Sequence, residues 1–167
     1  MKKCILICVL TFSNLSCSEK NHEKENSSSL AAKNAPMAAI TYDSLLAKKA
    51  GADDYGMRQY VLAYLKRGPN RDLSKEEATK LQRAHMDNIG RMARLGKLVI
   101  AGPFMDDTEI RGIYIFAVET VEEAEELTKT DPAIQAGSLI MELHPWYGPA
   151  ALVLIEDLQK KIRKTKI

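Results

Sequence analysis

The sequence predicts an α+β fold from elements in the order strand, helix, strand, strand, helix, strand. Three observations carry that reading. Two capping-box pairs, Ser74 with Glu77 and Thr120 with Glu123, each mark a helix start, because hydroxyl and carboxylate satisfy otherwise orphaned backbone N–H groups. Behind the first pair, Ala78, Leu81, His85, Ile89, Met92 and Leu95 recur at steps of three and four, the spacing of one helical face. Around the helices lie short apolar runs bounded by glycine, proline and asparagine, the pattern of strands. The compact solution is an antiparallel sheet with both helices on one face, the ferredoxin-like βαββαβ unit, followed by a C-terminal helix.

Met57–Lys66 (MRQYVLAYLK) is the first strand, with Tyr60, Val61 and Tyr64 suited to a pleated surface. Arg67-Gly68-Pro69-Asn70 punctuates it. The helix opened by Ser74 keeps Arg83, Asp87, Arg91 and Arg94 opposite its apolar stripe and ends at Gly96, a left-handed cap. Leu98–Ala101 reads as a buried strand, Gly102–Glu109 (GPFMDDTE) as a turn-rich loop, and Arg111–Val118 (RGIYIFAV) as the other half of an antiparallel hairpin. The next helix runs from Thr120 through Thr130, with Val121, Ala124 and Leu127 facing in. Asp131-Pro132 to Gly137 is a separate helical turn: Asp131 is its N-cap, Pro132 its first residue and Gly137 its stop. Ser138–Pro145 supplies the last strand, and Pro149–Lys166 a terminal helix that becomes basic at its end. One face of the sheet is left bare. Tyr60, Val61, Ile113 and Ile115 are too apolar for both faces to stay wet, so a homodimer packed through the sheet face is expected.

Ahead of the domain, Lys2 and Lys3 precede Cys4–Phe12 (CILICVLTF), an apolar run too short to span a bilayer as a helix. Residues 1–16 therefore read as a signal peptide. Ser16 before Cys17 resembles a bacterial lipoprotein processing site, with Asn14 standing where leucine is usual. Cys17 is then either the acylated new N-terminus, holding the protein on the cell envelope by its lipid, or an incidental cysteine after a plain secretory signal. The lipid-anchored reading implies a periplasmic or outward-facing protein. Residues 17–56 read as a polar, serine-rich tether, with His22 solvated and a short helix at Thr41–Lys49 capped by Thr41 or Asp43.

Composition removes several functions. Cys4, Cys8 and Cys17 precede everything else, so no disulfide framework or cysteine-ligated zinc site is expected in the domain. With 24 basic against 22 acidic residues, a net charge of +2 and few aromatics, no nucleic-acid partner is implied. The three histidines are too dispersed for a metal site, and neither a glycine-rich phosphate loop nor a positioned serine or cysteine nucleophile is present.

Taken together, these residues resemble the YciI-like (YCII-related) family of the dimeric α+β barrel superfamily. The resemblance covers residues 57–147. It is carried by His85, the Gly96–Pro103 run (GKLVIAGP), Gly112, Glu122-Glu123-Ala124, the segment from Asp131-Pro132 to Ala136-Gly137, and His144-Pro145-Trp146. It implies that the family's histidine and aspartate fall on His85 and Asp131. It also implies a small-molecule substrate and no cofactor, with dehalogenation or a related elimination on small ring compounds, or isomerisation, as the chemistry. The resemblance bears on the fold more closely than on the reaction.

Read without the resemblance, each residue has two meanings. A lone histidine on an apolar stripe is commonly a packed residue with one hydrogen bond. Imidazole also titrates near neutrality and serves as a general acid or base when a carboxylate on its other nitrogen fixes the tautomer. Asp131 is an N-cap before proline, or that carboxylate. In this topology the start of the first long helix, the loop between strands two and three and the end of the second helix share one end of the sheet. That brings Asp131, Asp106 and Asp107 to one end, with His85 halfway down its helix. The order of elements alone leaves contact between His85 and Asp131 open. Asp106 and Asp107 read as turn residues, His144 as a strand-end residue, and Trp146 and Tyr147 as pocket wall or dimer contacts. The tail at Lys160–Lys164 reads as a solvated helix end or as a contact with anionic lipid. Two functions follow: a cofactor-free isomerase or lyase in which His85 moves a proton and Asp131 orients it, or a non-catalytic small-ligand-binding or accessory envelope lipoprotein.

Overall fold

Four antiparallel strands form one sheet in the order β2-β3-β1-β4: β1 (Met57–Arg67), β2 (Leu98–Pro103), β3 (Ile110–Phe116) and β4 (Leu139–Pro149). With its helices packed on the sheet this is the ferredoxin-like α+β arrangement. The computed structural model describes residues 41–165. The signal segment, Cys17, His22 and most of the tether lie outside them.

Alternation along β1 sorts its side chains between two faces. Val61, Ala63 and Leu65 face the helices and form the core with Met92, Tyr114, Phe116 and Ala124. Val61 therefore does not belong to the bare face. Nor does Tyr60 stay open to solvent: it is 1% exposed. Its hydroxyl donates to the carbonyls of Pro149 and Ala150 at 3.0 and 3.3 Å, because the chain leaving β4 folds back over it. What remains bare centres on Leu62, Tyr64 and Ile113, all half-buried, a smaller patch than composition suggested.

Helix α1 (Ser44–Ala50) is capped by Asp43, whose carboxylate accepts the Leu45 and Leu46 N–H groups at 3.0 and 2.9 Å. Helix α2 (Lys75–Arg94) has the full capping box: Ser74 Oγ accepts the Glu77 N–H at 3.3 Å, and Glu77 accepts the Ser74 N–H at 2.9 Å. Gly96, at φ 68°, turns the chain out of α2, and the Lys97 N–H closes on the Met92 carbonyl at 3.0 Å. Helix α3 (Val121–Thr128) completes only half of its box. Thr120 accepts the Glu123 N–H at 3.2 Å, but Glu123 reaches back one residue further, to the Glu119 N–H at 3.2 Å. The turn α4 (Pro132–Gln135) follows, and β4 then pairs with the whole length of β1.

The terminal helix is broken. A 3-10 turn, Ala150–Leu154, precedes α5 (Ile155–Ile162). The buried Ala150 is pinned by its N–H to the Gly56 carbonyl at 2.9 Å, and the turn packs back on β1 and β2 before α5 begins.

Candidate active site

His85 sits midway along α2, and Asp131 stands at the N-cap of α4. Two features draw these elements together. Gly68, at the exit of β1, lies so close to the turn after α4 that a Cβ there would stand 2.2 Å from the Gly137 carbonyl oxygen. The Gly68 N–H donates to the Ser138 carbonyl at 2.9 Å, joining the loop that leads into α2 to the turn that follows Asp131. On the other side, Arg91 is not a solvated residue as its place opposite the stripe suggested. Its guanidinium donates to Asn88 Oδ1 at 2.9 and 3.1 Å and to Thr130 Oγ1 at 2.7 Å, which ties α2 to the residue just before Asp131.

Asp131 is 0% exposed and His85 7%. Both carboxylate oxygens stand 2.9 Å from His85 Nδ1, and Oδ1 also accepts the Ala133 N–H at 2.9 Å. The two meanings of Asp131 are thus combined in one side chain, which caps α4 and partners the imidazole. In the tautomer that pairs Nδ1–H with the carboxylate oxygens, Nε2 is the acceptor.

Nε2 faces Tyr114, whose hydroxyl lies 3.3 Å away, with the two rings stacked at 6.2 Å between centroids and 17° between planes. Burial, and then the negative charge of Asp131, hold the Tyr114 hydroxyl well above the ordinary tyrosine range. It is therefore a neutral phenol that donates to Nε2. The sequence reading missed Tyr114. The available signal was alternation: between Ile113 and Ile115 it falls on the helix-covered face, where a buried tyrosine needs a partner for its hydroxyl.

His85 and Tyr114 line a groove of about 840 Å³ between α2, the edge strand β2 and α5. Leu81, Met86, Ile89 and Leu98 supply its apolar wall. His85 and Tyr114, though 7% and 2% exposed, thus belong to the wall of a space large enough for a small organic molecule.

The other residues singled out from sequence are not part of this constellation. Asp107 is exposed and pairs with both Arg67 and Arg111, while Asp106 accepts the Thr108 hydroxyl at 3.4 Å within the same loop. His144 stands on β4 with Nε2 2.9 Å from Glu142, away from the groove. Trp146 tilts over Tyr60 at 5.7 Å, and Tyr147 bonds Asp53. Among the described residues no cluster of three or more His, Cys, Asp or Glu side chains is placed to hold a metal ion.

A model of the YCII-related domain matches residues 57–147. Among curated proteins none matches significantly. One solved structure that resembles the chain is 5-chloro-2-hydroxyhydroquinone dehydrochlorinase from Burkholderia phenoliruptrix AC1100, in complex with 2,5-dihydroxybenzoquinone. It is 19% identical, with 52% of this chain and 92% of that chain covered and a TM-score of 0.41. The matched segment runs from the start of β1 almost to the end of β4 and holds His85, Tyr114 and Asp131, so more than half of the chain lies within it: the chain belongs to the YCII-related domain family.

Proposed function

We propose that this protein is a cofactor-free acid–base enzyme, an isomerase or a lyase, acting on a small organic molecule bound in the groove. The observation that supports it most is the arrangement of one ring: Nδ1 of His85 lies 2.9 Å from a fully buried carboxylate, while Nε2 meets a neutral phenol at the wall of an open groove. In this reading Nε2 takes a proton from a carbon beside a carbonyl group of the substrate. The C–H electron pair becomes a carbon–carbon double bond as the carbonyl π pair moves onto oxygen, and Asp131 stabilises the imidazolium. Tyr114 turns its hydroxyl from Nε2 to the oxygen where charge collects. The pair then returns either to a second carbon, which His85 protonates, or to the bond of a leaving group, which departs with it. The first outcome is isomerisation and the second elimination.

The test needs no knowledge of the natural substrate. A panel of small cyclic ketones, hydroxyquinones and phenols incubated with the protein in deuterium oxide should show carbon-bound deuterium by mass spectrometry, with faster exchange for the unmodified protein than for His85→Gln. Equal rates across the panel would remove His85 from the chemistry.

The same reading includes an assembly and a location. The patch at Leu62, Tyr64 and Ile113, flanked by the Lys66–Glu142 pair, suits a second copy of this chain packed sheet to sheet. Processing before Cys17 would leave that cysteine acylated and the domain tethered to the bacterial envelope. Mass spectrometry of the mature N-terminus tests the anchor, and equilibrium sedimentation of Leu62→Lys tests the dimer.

A further inference from the structure

Resting on that acid–base reading, we propose that the groove selects an organic anion and that α5 helps form the cationic end that holds its acidic group. Six cationic side chains line the groove, Arg67, Arg71, Arg94, Arg111, Lys160 and Arg163, against one acidic side chain, Glu156. An apolar wall beneath so one-sided a charge suits a ligand with an apolar body and a negative group.

The two ends of the groove differ in what their cations are doing. At one end Arg67 and Arg111 converge on Asp107, and Arg71 donates to the Ser138 carbonyl at 3.2 Å, so all three hold loops in place. At the other end Arg163 holds Glu156 at 3.3 Å. Lys160 hangs between Glu156 at 3.8 Å and Asp157 at 3.6 Å, too far for a good hydrogen bond to either. Arg94 has no carboxylate partner among the described residues. Arg94 and Lys160 are therefore the cations with donors to offer, and both border the same space as His85.

Nine helical steps carry the chain from His85 to Arg94, about 13.5 Å along the axis and half a turn round α2. Arg94 therefore reaches the groove by its long side chain rather than from the face of His85, and Lys160 borders it from α5. A ring at His85 joined by a short chain to a carboxylate suits that arrangement. The helix that carries Lys160 follows the segment matched by the family model, which stops at residue 147. Of the two cations, Arg94 thus lies within the shared domain and Lys160 on the helix that follows it.

The experiment is calorimetric titration of the full-length protein with 4-phenylbutyrate and with its uncharged primary amide. The acid should bind about tenfold more tightly, with the advantage shrinking as salt is raised. Arg94→Ala combined with Lys160→Ala should bring the acid down to the level of the amide. Lys160→Arg alone should preserve the preference, and Arg83→Ala, an exposed cation outside the groove, should leave it unchanged. Circular dichroism of each variant confirms that it is folded. Equal binding of acid and amide overturns the proposal, as does a preference that survives the double variant or is abolished by Arg83→Ala. The readout is binding rather than turnover, so it is independent of the deuterium-exchange result. A charge-selective groove in a protein that exchanges nothing would leave selection standing and remove the enzyme.

Discussion

His85 and His144 each stand 2.9 Å from a carboxylate oxygen, and almost everything else about the two pairs differs. The side chains of His85 and Asp131 are 9% and 0% exposed; those of His144 and Glu142 are both 47% exposed. Water screens the second pair, and Glu142 is shared with Lys66 at 2.6 Å, so its charge is already answered. In the first pair no competing cation touches Asp131 among the described residues, the carboxylate favours one imidazole tautomer, and the other nitrogen meets a phenol in the wall of a groove. Distance does not distinguish a site from a surface contact. The surroundings decide how firmly the ring is held and what its second nitrogen can reach.

The sharpest way to break the comparison is His85→Gln. It should lower the rate of deuterium exchange by about a thousandfold, the usual scale for loss of a general base, while urea unfolding stays cooperative. His144→Gln in the same assay should match the unmodified protein. If the two substitutions cost the same, burial has no bearing on the chemistry.

Asp131→Ala strikes both of that residue's duties, since the Ala133 N–H loses its acceptor and the buried imidazole its partner. A loss of about 2–4 kcal/mol in urea unfolding is expected. Asp131→Asn, which can still cap α4, should recover a good part of the stability and none of the exchange activity. That split separates the cap from the partner.

Tyr114→Phe sharpens the picture by testing the third member. Removing a donor to the developing oxyanion should slow exchange about tenfold. Its pH signature follows from the raised pKa. The fold favours the protonated phenol, so that contribution is fully present below the unfolded tyrosine pKa, about 10. It is lost as pH rises above that value towards the higher one in the fold. Tyr114→Phe should therefore lose less stability than the parent between neutral and strongly alkaline solution, measured by urea midpoints.

How much of this was legible in the sequence depends on whether the cause was local. The Ser74–Glu77 box, the stop at Gly96 and the cap at Asp131 are decided within a turn of helix, and each stands where its residues pointed. The contact between His85 and Asp131 depends on how closely α2 approaches α4. That is set by Gly68 against Gly137 and by Arg91 against Thr130, pairs 69 and 39 residues apart that no periodicity links. Tyr114 was passed over because a buried tyrosine and a buried isoleucine look alike in an alternating run until the partner of the hydroxyl is known. The break in the terminal helix came from Ala150 bonding to Gly56, again a non-local cause, and with it went the placement of Lys160 along the groove.

The smallest effect belongs to the exposed pair. Hydrogen bonds from Lys66, and then from His144, hold the Glu142 carboxyl below the usual carboxylate range. Its contribution is present above the unfolded glutamate pKa, about 4.3, and is lost as pH falls through the lowered value in the fold. Glu142→Gln should therefore flatten the acid side of the stability profile slightly. His144→Ala should flatten it less, because Lys66 remains in place, and should move the melting temperature at neutral pH by less than about 2 °C. A larger shift would mean that this edge of β4 is covered in solution, as it would be if the bare face of the sheet were buried against a second copy, so the weakest pair in the molecule also reports on its assembly.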